Sequence, residues 1–183
     1  MEESKMEPIA IVGIGCRFPG GANNPESFWK LLQEGIDATT DIPKDRWDIQ
    51  TFYDPDKSKP GKAYTCHGGF LEKVDEFDAQ FFGISPREAA YMDPQQRILL
   101  EIVWEALEDA GIIPEKITGS NTGVYIGAFT LDYKILQLNS GSLEQIDTHT
   151  ATGAMMTMVS NRISHIFDLR GPSLSVDTAC SGS

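Results

Sequence analysis

Cys180 lies in the run Gly171-Pro172-Ser173-Leu174-Ser175-Val176-Asp177-Thr178-Ala179-Cys180-Ser181-Gly182-Ser183. A short strand-like stretch leads into a cysteine followed by small residues able to open a helix. Such a setting suits a thiol nucleophile, because the N–H groups and partial positive charge at a helix N-terminus favour thiolate over thiol. The same N–H groups can hold the oxyanion that forms when a thiolate attacks a thioester, and the N–H of Cys180 itself is a candidate donor. The competing reading is a buried packing cysteine, a common place for this residue type. Spacing alone does not separate the two. The sequence runs only three residues past Cys180, so an activating helix or a downstream base is expected outside it.

A base within the chain would have to be His67, His149 or His165, the three histidines present. His165 falls near the apolar stripe of a predicted helix and reads as a core or interface residue. His67 and His149 fall in loop-like stretches and read as solvated. Asp177 reads as a structural hydrogen-bonding aspartate in preference to a triad acid. Asp93 and Arg97 read as capping and ion-pairing residues. Met155, Met156 and Met158 read as packing residues. Cys16 and Cys66 have no setting like that of Cys180. Three widely spaced cysteines without a C-x-x-C pair argue against a zinc site or a disulfide framework, so no metal is expected. Gly13-Ile14-Gly15 invites a dinucleotide-binding reading. That reading fails at Phe18, where the fingerprint needs glycine, and at Pro19, which interrupts the required helix.

The elements that must position these groups can be read from periodicity and caps. Residues 9–14 form an apolar run readable as a strand buried on both faces. Asn24-Pro25 caps a helix that carries Phe28, Leu31 and Leu32 and ends at Gly35. Residues 37–83 are irregular but rich in aromatics, as in an ordered excursion. Ser85-Pro86-Arg87-Glu88 is a capping box, and Asp93-Pro94 starts a long helix through Ala110, ended by Gly111. Leu99, Val103, Ala106 and Ala110 are its expected apolar face. Residues 123–129 read as a second buried strand, 152–169 as one helix with Met155, Val159, Ile163 and Ile166 on a stripe, and 173–176 as the final strand. Helices between apolar strands predict an α/β fold with at least partly parallel pairing.

At 183 residues and 40% apolar composition the chain can bury a core. A net charge of −12 argues against a nucleic-acid partner. No apolar run reaches the length of a membrane span, and the N-terminus lacks the apolar core of a signal peptide, so a cytoplasmic protein without membrane contact is expected.

Several motifs in order resemble the β-ketoacyl synthase domain of type I modular or iterative polyketide synthases. They are residues 9–20 (IAIVGIGCRFPG), 68–71 (GGFL), 81–88 (FFGISPRE), 92–101 (MDPQQRILLE), 161–164 (NRIS), 167–173 (FDLRGPS) and 176–181 (VDTACS). The resemblance implies a thiolase-like fold, layered α-β-α-β-α, of which this chain holds the N-terminal half with the nucleophile strand. Residues 1–7 are then a polar extension, and residues 8–183 the first part of the domain, cut just after the cysteine. It also implies that Cys180 accepts an acyl chain from the phosphopantetheine arm of an acyl carrier protein. A malonyl-type extender then loses CO2 and attacks that thioester, in polyketide or related fatty acid biosynthesis. No cofactor is bound directly, and the phosphopantetheine belongs to the carrier. Two supporting histidines are expected in the second half, so the fragment alone is expected to be inactive. The family's homodimers place the region of Thr152-Gly153 near the subunit interface. Two other classes stay open: a truncated, non-catalytic interaction or dimerisation protein, and a self-contained cysteine hydrolase using a resident histidine.

Overall fold

Prolines and polar side chains set the starts of most helices in this chain. In order, the elements are α1 (Pro25–Gln33), β1 (Thr40–Asp41), α2 (Ile49–Phe52), β2 (His67–Gly68), α3 (Pro86–Tyr91), α4 (Pro94–Asp109), α5 (Pro114–Ile117), β3 (Val124–Gly127), α6 (Asp132–Asn139), α7 (Thr148–Ala154), α8 (Thr157–Ile166) and β4 (Ser173–Val176), followed by a 3-10 turn at Ala179–Gly182. The computed structural model describes residues 7–139 and 146–182; residues 1–6 of the polar extension, and Ser183, lie outside the described residues. Two compact units are present, one of Met1–Ile14 with Asp75–Ser183 and one of Gly15–Val74.

In the first unit, Ser85 and Asp93 cap α3 and α4, each followed by proline, and at Ser85 the expected box gives a one-way cap on the Glu88 N–H while the Glu88 carboxylate pairs with Arg162. Gly111 takes φ +64 just beyond α4, a conformation that suits glycine at a helix end. The core is Phe82, Ile84, Met92, Leu100, Val124, Ile163 and Phe167, with Leu99, Val103, Trp104 and Leu107 packed against it. The expected face of α4 is therefore borne out at Leu99 and Val103, and burial extends beyond it. Leu100 and Gln96 are its buried residues, while Ala106 and Ala110 meet the backbone at Gly13. A Cβ on Gly13 would stand 2.2 Å from the Ala106 carbonyl oxygen and 2.8 Å from the Ala110 Cβ.

Strands β3 and β4 pair in parallel, Val124 opposite Ser173 through Gly127 opposite Val176, as the α/β pattern predicts. Neither is buried on both faces. Val124 is buried, but Tyr125, Leu174 and Val176 are exposed, so the expectation of a fully covered strand at 123–129 is corrected to a half-covered one. The expected strand at 9–14 does not form. The segment has no regular structure and no ladder partner among the described residues, and Ile9 and Ile11 are 95% and 83% exposed. It is tied to α4 through the Ile14 N–H, which donates to the Asp109 carboxylate at 2.8 Å. Apolar content reports a wish for burial, whereas a strand also needs a bonded neighbour.

The expected single helix over 152–169 is two helices. Met155 is extended, at φ −82 and ψ 134, and separates α7 from α8. The break lets Gly153 pack directly on the Tyr91 backbone and accept hydrogen bonds from the Asp93 N–H (2.8 Å) and the Gln96 side-chain amide (2.9 Å). Gln96 in turn accepts from Arg162 Nε at 2.7 Å, and Arg162 Nη1 donates to Glu88 at 2.6 Å. This polar chain ties α3, α4, α7 and α8 together, although the buried Arg162 Nη2 has no hydrogen-bond partner in it.

In the second unit, Asn24 and Ser27 form a reciprocal capping box on α1, and Phe28 stacks on Phe18 at 4.1 Å between ring centroids. Gly35, at φ +62, follows the helix as expected. The irregular segment is ordered. β1 and β2 form a short antiparallel ribbon, Trp47 meets Phe70 edge-on, and the Arg46 guanidinium donates to the Leu71 carbonyl at 2.9 Å.

Candidate active site

Four serines fix the strand that leads to Cys180. On α8, Ser160 and Ser164 are one turn apart; on β4, Ser173 and Ser175 share a face. Ser164 Oγ donates to Ser173 Oγ and Ser175 Oγ to Ser160 Oγ, both at 2.9 Å, and the Ser160 N–H reaches Ser175 Oγ at 3.2 Å. Ser160 is completely buried. The sequence reading missed these pairs, although the i, i+4 and i, i+2 spacings put each pair on one face of its element.

Beyond β4 the chain turns sharply. Asp177 accepts the Ala179 N–H at 3.0 Å, which matches its reading as a structural hydrogen-bonding aspartate. Ala179 then takes φ +49, a left-handed conformation that costs a non-glycine residue about 1–2 kcal/mol. The 3-10 turn follows at once. The Ser181 N–H and hydroxyl both donate to the Thr178 carbonyl, at 3.2 and 2.8 Å. Cys180 sits inside this turn with its side chain exposed. The thiol thus stands at a tight strand-to-helix junction whose backbone is bent by a strained residue. That geometry presents the thiol outward, while the flanking Ala179 and Ser181 N–H groups are taken up by Asp177 and the Thr178 carbonyl.

The histidines are distributed otherwise than the sequence suggests. His165 is exposed in the last turn of α8, so its reading as a core residue is corrected; the stripe of Val159 and Ile163 is buried beside it. His149 is the second residue of α7, half-buried, with its ring 6.5 Å from that of Tyr91, so its loop reading is also corrected. His67 belongs to the ribbon of the other unit and is exposed. Asp93 caps α4 through the Gln95 N–H at 2.9 Å. Its burial pushes its carboxyl above the usual carboxylate range, against the hydrogen bonds from Gln95. Arg97 donates to the Asp75 carbonyl at 3.2 Å. Asp147 accepts the His149 N–H and the Thr148 hydroxyl and pairs with Arg87, and together these bring its carboxyl down to about 2. Met155 is exposed.

An open pocket of about 530 Å³ lies elsewhere on the first unit, lined by Phe81, Trp104, Pro114, Ile166 and Phe167 among others. Neither β4 nor the cysteine turn contributes to it. Among the described residues, one group of side chains has the types to hold a metal ion, Asp41, Cys66 and His67 in the second unit. Among the described residues, no helix is long and apolar enough to cross a membrane.

Comparison with known proteins gives a consistent picture. The model of the β-ketoacyl synthase N-terminal domain matches residues 6–183. The chain is 52% identical over 177 residues to a phenolphthiocerol/phthiocerol polyketide synthase of Mycobacterium bovis, covering 97% of this chain and 10% of that protein. It is 51% identical over 178 residues to the erythronolide synthase EryA2 of Saccharopolyspora erythraea, covering 97% of this chain and 5% of that protein. The chain thus spans about a tenth or less of these curated relatives. Among solved structures, the oxazolomycin ketosynthase domain OzmH KS7 of Streptomyces albus JA3453 superposes with a TM-score of 0.84 at 40% identity, over 94% of this chain and 29% of that one. The ketosynthase from module 6 of the bacillaene synthase of Bacillus subtilis 168 does so with a TM-score of 0.79 at 34% identity, over 95% and 27%.

Proposed function

This chain belongs to the β-ketoacyl synthase family and has its thiolase-like α/β fold, and on that premise we propose that it is the N-terminal part of a polyketide ketosynthase with Cys180 as the acyl-accepting nucleophile. Residues 8–183 then form the first portion of the catalytic domain. The observation that carries the reading is the exposed Cys180 thiol placed directly after left-handed Ala179, at the junction of β4 and the 3-10 turn.

In the proposed reaction the Cys180 thiolate attacks the thioester carbonyl of an acyl chain carried on the phosphopantetheine arm of an acyl carrier protein. The carbonyl oxygen takes the negative charge, and the Cys180 N–H donates to it. The carbon–sulfur bond to pantetheine breaks, and that sulfur leaves as a thiol after taking a proton. A malonyl-type thioester then loses CO2. The electron pair left on its α-carbon attacks the acyl-Cys180 carbonyl, forms the new carbon–carbon bond and expels the Cys180 thiolate. The product is a β-ketoacyl thioester on the carrier.

The decarboxylation step needs cationic or hydrogen-bonding support near the extender carboxylate and the forming enolate. In this proposal those groups, two histidines, lie outside these 183 residues. The carrier protein is the partner, and the complete domain works as a homodimer. The intact protein, given acyl- and malonyl-carrier protein, is expected to yield a β-ketoacyl product, and Cys180→Ala is expected to yield none. Undiminished condensation by Cys180→Ala would refute the assignment.

A further inference from the structure

We propose that Cys66 is a reactive thiol, activated by His67 and Asp41, that takes up low-molecular-weight disulfides as a mixed disulfide. The three side chains meet on the β1–β2 ribbon, in the unit formed by Gly15–Val74, and none of them has a part in the chemistry assigned to Cys180. Asp41 and His67 are direct cross-strand partners. The Ile42 N–H donates to the Cys66 carbonyl at 3.0 Å, which fixes the cysteine at the ribbon's end.

The imidazole of His67 is engaged at both nitrogens. Nε2 stands 3.0 Å from Asp41 Oδ1, and Nδ1 stands 3.3 Å from Cys66 Sγ. One tautomer satisfies both contacts: Nε2–H donates to the carboxylate, and Nδ1 accepts from the thiol. This is the order thiol, imidazole, carboxylate, in which the acid orients the ring and stabilises the positive charge it acquires. Asp37 adds a second carboxylate whose charge interacts with His67. The same three residues hold donor atoms within 4.8 Å of one another. A single cation, however, needs its ligands at about 2.0–2.3 Å. Here sulfur and carboxylate approach opposite ring nitrogens, so the relay fits the geometry better than a metal does.

The step balances without a cofactor. The Cys66 proton passes to His67 Nδ1, and the thiolate attacks one sulfur of R–S–S–R. The disulfide bond breaks as the Cys66–S–S–R bond forms, and the departing RS− takes the proton back from the imidazolium. The protein thiol is oxidised, and one half of the disulfide is reduced to RSH.

The test is the rate at which Cys66 in the intact protein reacts with 2-hydroxyethyl disulfide at neutral pH in chelator-containing buffer. Timed quenching and peptide mass spectrometry read each cysteine separately. Native Cys66, although half-buried, is expected to react about two- to three-fold faster than in the urea-unfolded chain. An exposed charge pair raises the thiolate fraction about five-fold, and the lower basicity of that thiolate takes back about half of the gain. His67→Gln, which can hydrogen-bond but cannot carry the proton, is expected to bring the native rate down to the unfolded rate or below it. A native wild-type rate equal to or slower than the unfolded rate overturns the proposal without reference to any variant. So does a folded His67→Gln protein that reacts as fast as wild type.

Discussion

Gly153→Ala is a one-methyl change that strikes the packing of α7 on the end of α3. A methyl there would stand 2.0 Å from the Tyr91 carbonyl oxygen, 2.6 Å from the Tyr91 carbonyl carbon and 3.2 Å from the Met92 nitrogen. Non-bonded heavy atoms settle at about 3.5–4.0 Å, so α7 and the end of α3 must part by more than about 1 Å. All three neighbours are backbone atoms, and no side chain can swing aside. Overpacking of this kind costs about 1–3 kcal/mol. The shift also breaks the bonds from the Asp93 N–H and the Gln96 amide to the Gly153 carbonyl. Gln96 is 1% exposed, and a buried polar group left unmade costs about 1–3 kcal/mol more. The total is about 2–6 kcal/mol, or about 30-fold or more in a local opening equilibrium at 1.36 kcal/mol per decade. Hydrogen–deuterium exchange of the peptide carrying the Asp93 amide reads that opening directly in the intact protein. A rate faster by about 30-fold or more is expected. Exchange within two-fold of wild type would show that the helices yield freely and that the contact does not hold them.

Three further outcomes follow from other contacts. Ser175→Ala strips fully buried Ser160 of its strand partner, at a cost of about 1–2 kcal/mol; faster amide exchange in β4 and slower acylation of Cys180 are expected, and unchanged values for both would uncouple the serine pairs from the turn. Asp147 is held at about 2 in the fold by the His149 N–H, the Thr148 hydroxyl and Arg87, below the unfolded value of about 3.9. Its stabilisation is therefore complete above about pH 4 and is lost as pH falls through about 2; circular dichroism should show Asp147→Asn less stable than wild type at pH 7 and equal to it near pH 2, and an equal deficit at both would refute the linkage. The 183-residue chain by itself is expected to form no β-ketoacyl product from acyl- and malonyl-carrier protein, because its three histidines occupy the ribbon, α7 and the exposed end of α8; a product seen by mass spectrometry would mean that one of them serves the reaction.

What could be read in the sequence was governed by locality. Asn24-Pro25, Ser85-Pro86 and Asp93-Pro94 specify helix starts through bonds within four residues, and α1, α3 and α4 begin there. The parallel pairing of β3 and β4 followed from helices between apolar strands. The break at Met155 was hidden, because Met155 and Met156 are good helix formers and the stripe continues through them; the extended Met155 is settled by Gly153 reaching the Tyr91 backbone, a contact across about 60 residues. The segment at 9–14 misled for a related reason, since apolarity does not disclose whether a neighbouring strand pairs with it. At the candidate site, the strand–cysteine–small-residue order was visible. The left-handed turn at Ala179 was not, because alanine is a poor residue for that conformation and nothing local asks for it. The Cys66–His67–Asp41 relay was equally hidden, since it depends on the register of a two-residue ribbon.

The central claim is that Cys180 is the atom that accepts the acyl group. Incubating the intact protein with an acyl thioester, then digesting it and sequencing the peptides by mass spectrometry, tests that claim at the residue itself. The account predicts one acyl adduct on the peptide carrying Cys180, formed in wild type, absent in Cys180→Ala and released by a thiol. Equal labelling of wild type and Cys180→Ala, or an adduct confined to Cys16 or Cys66, would contradict it.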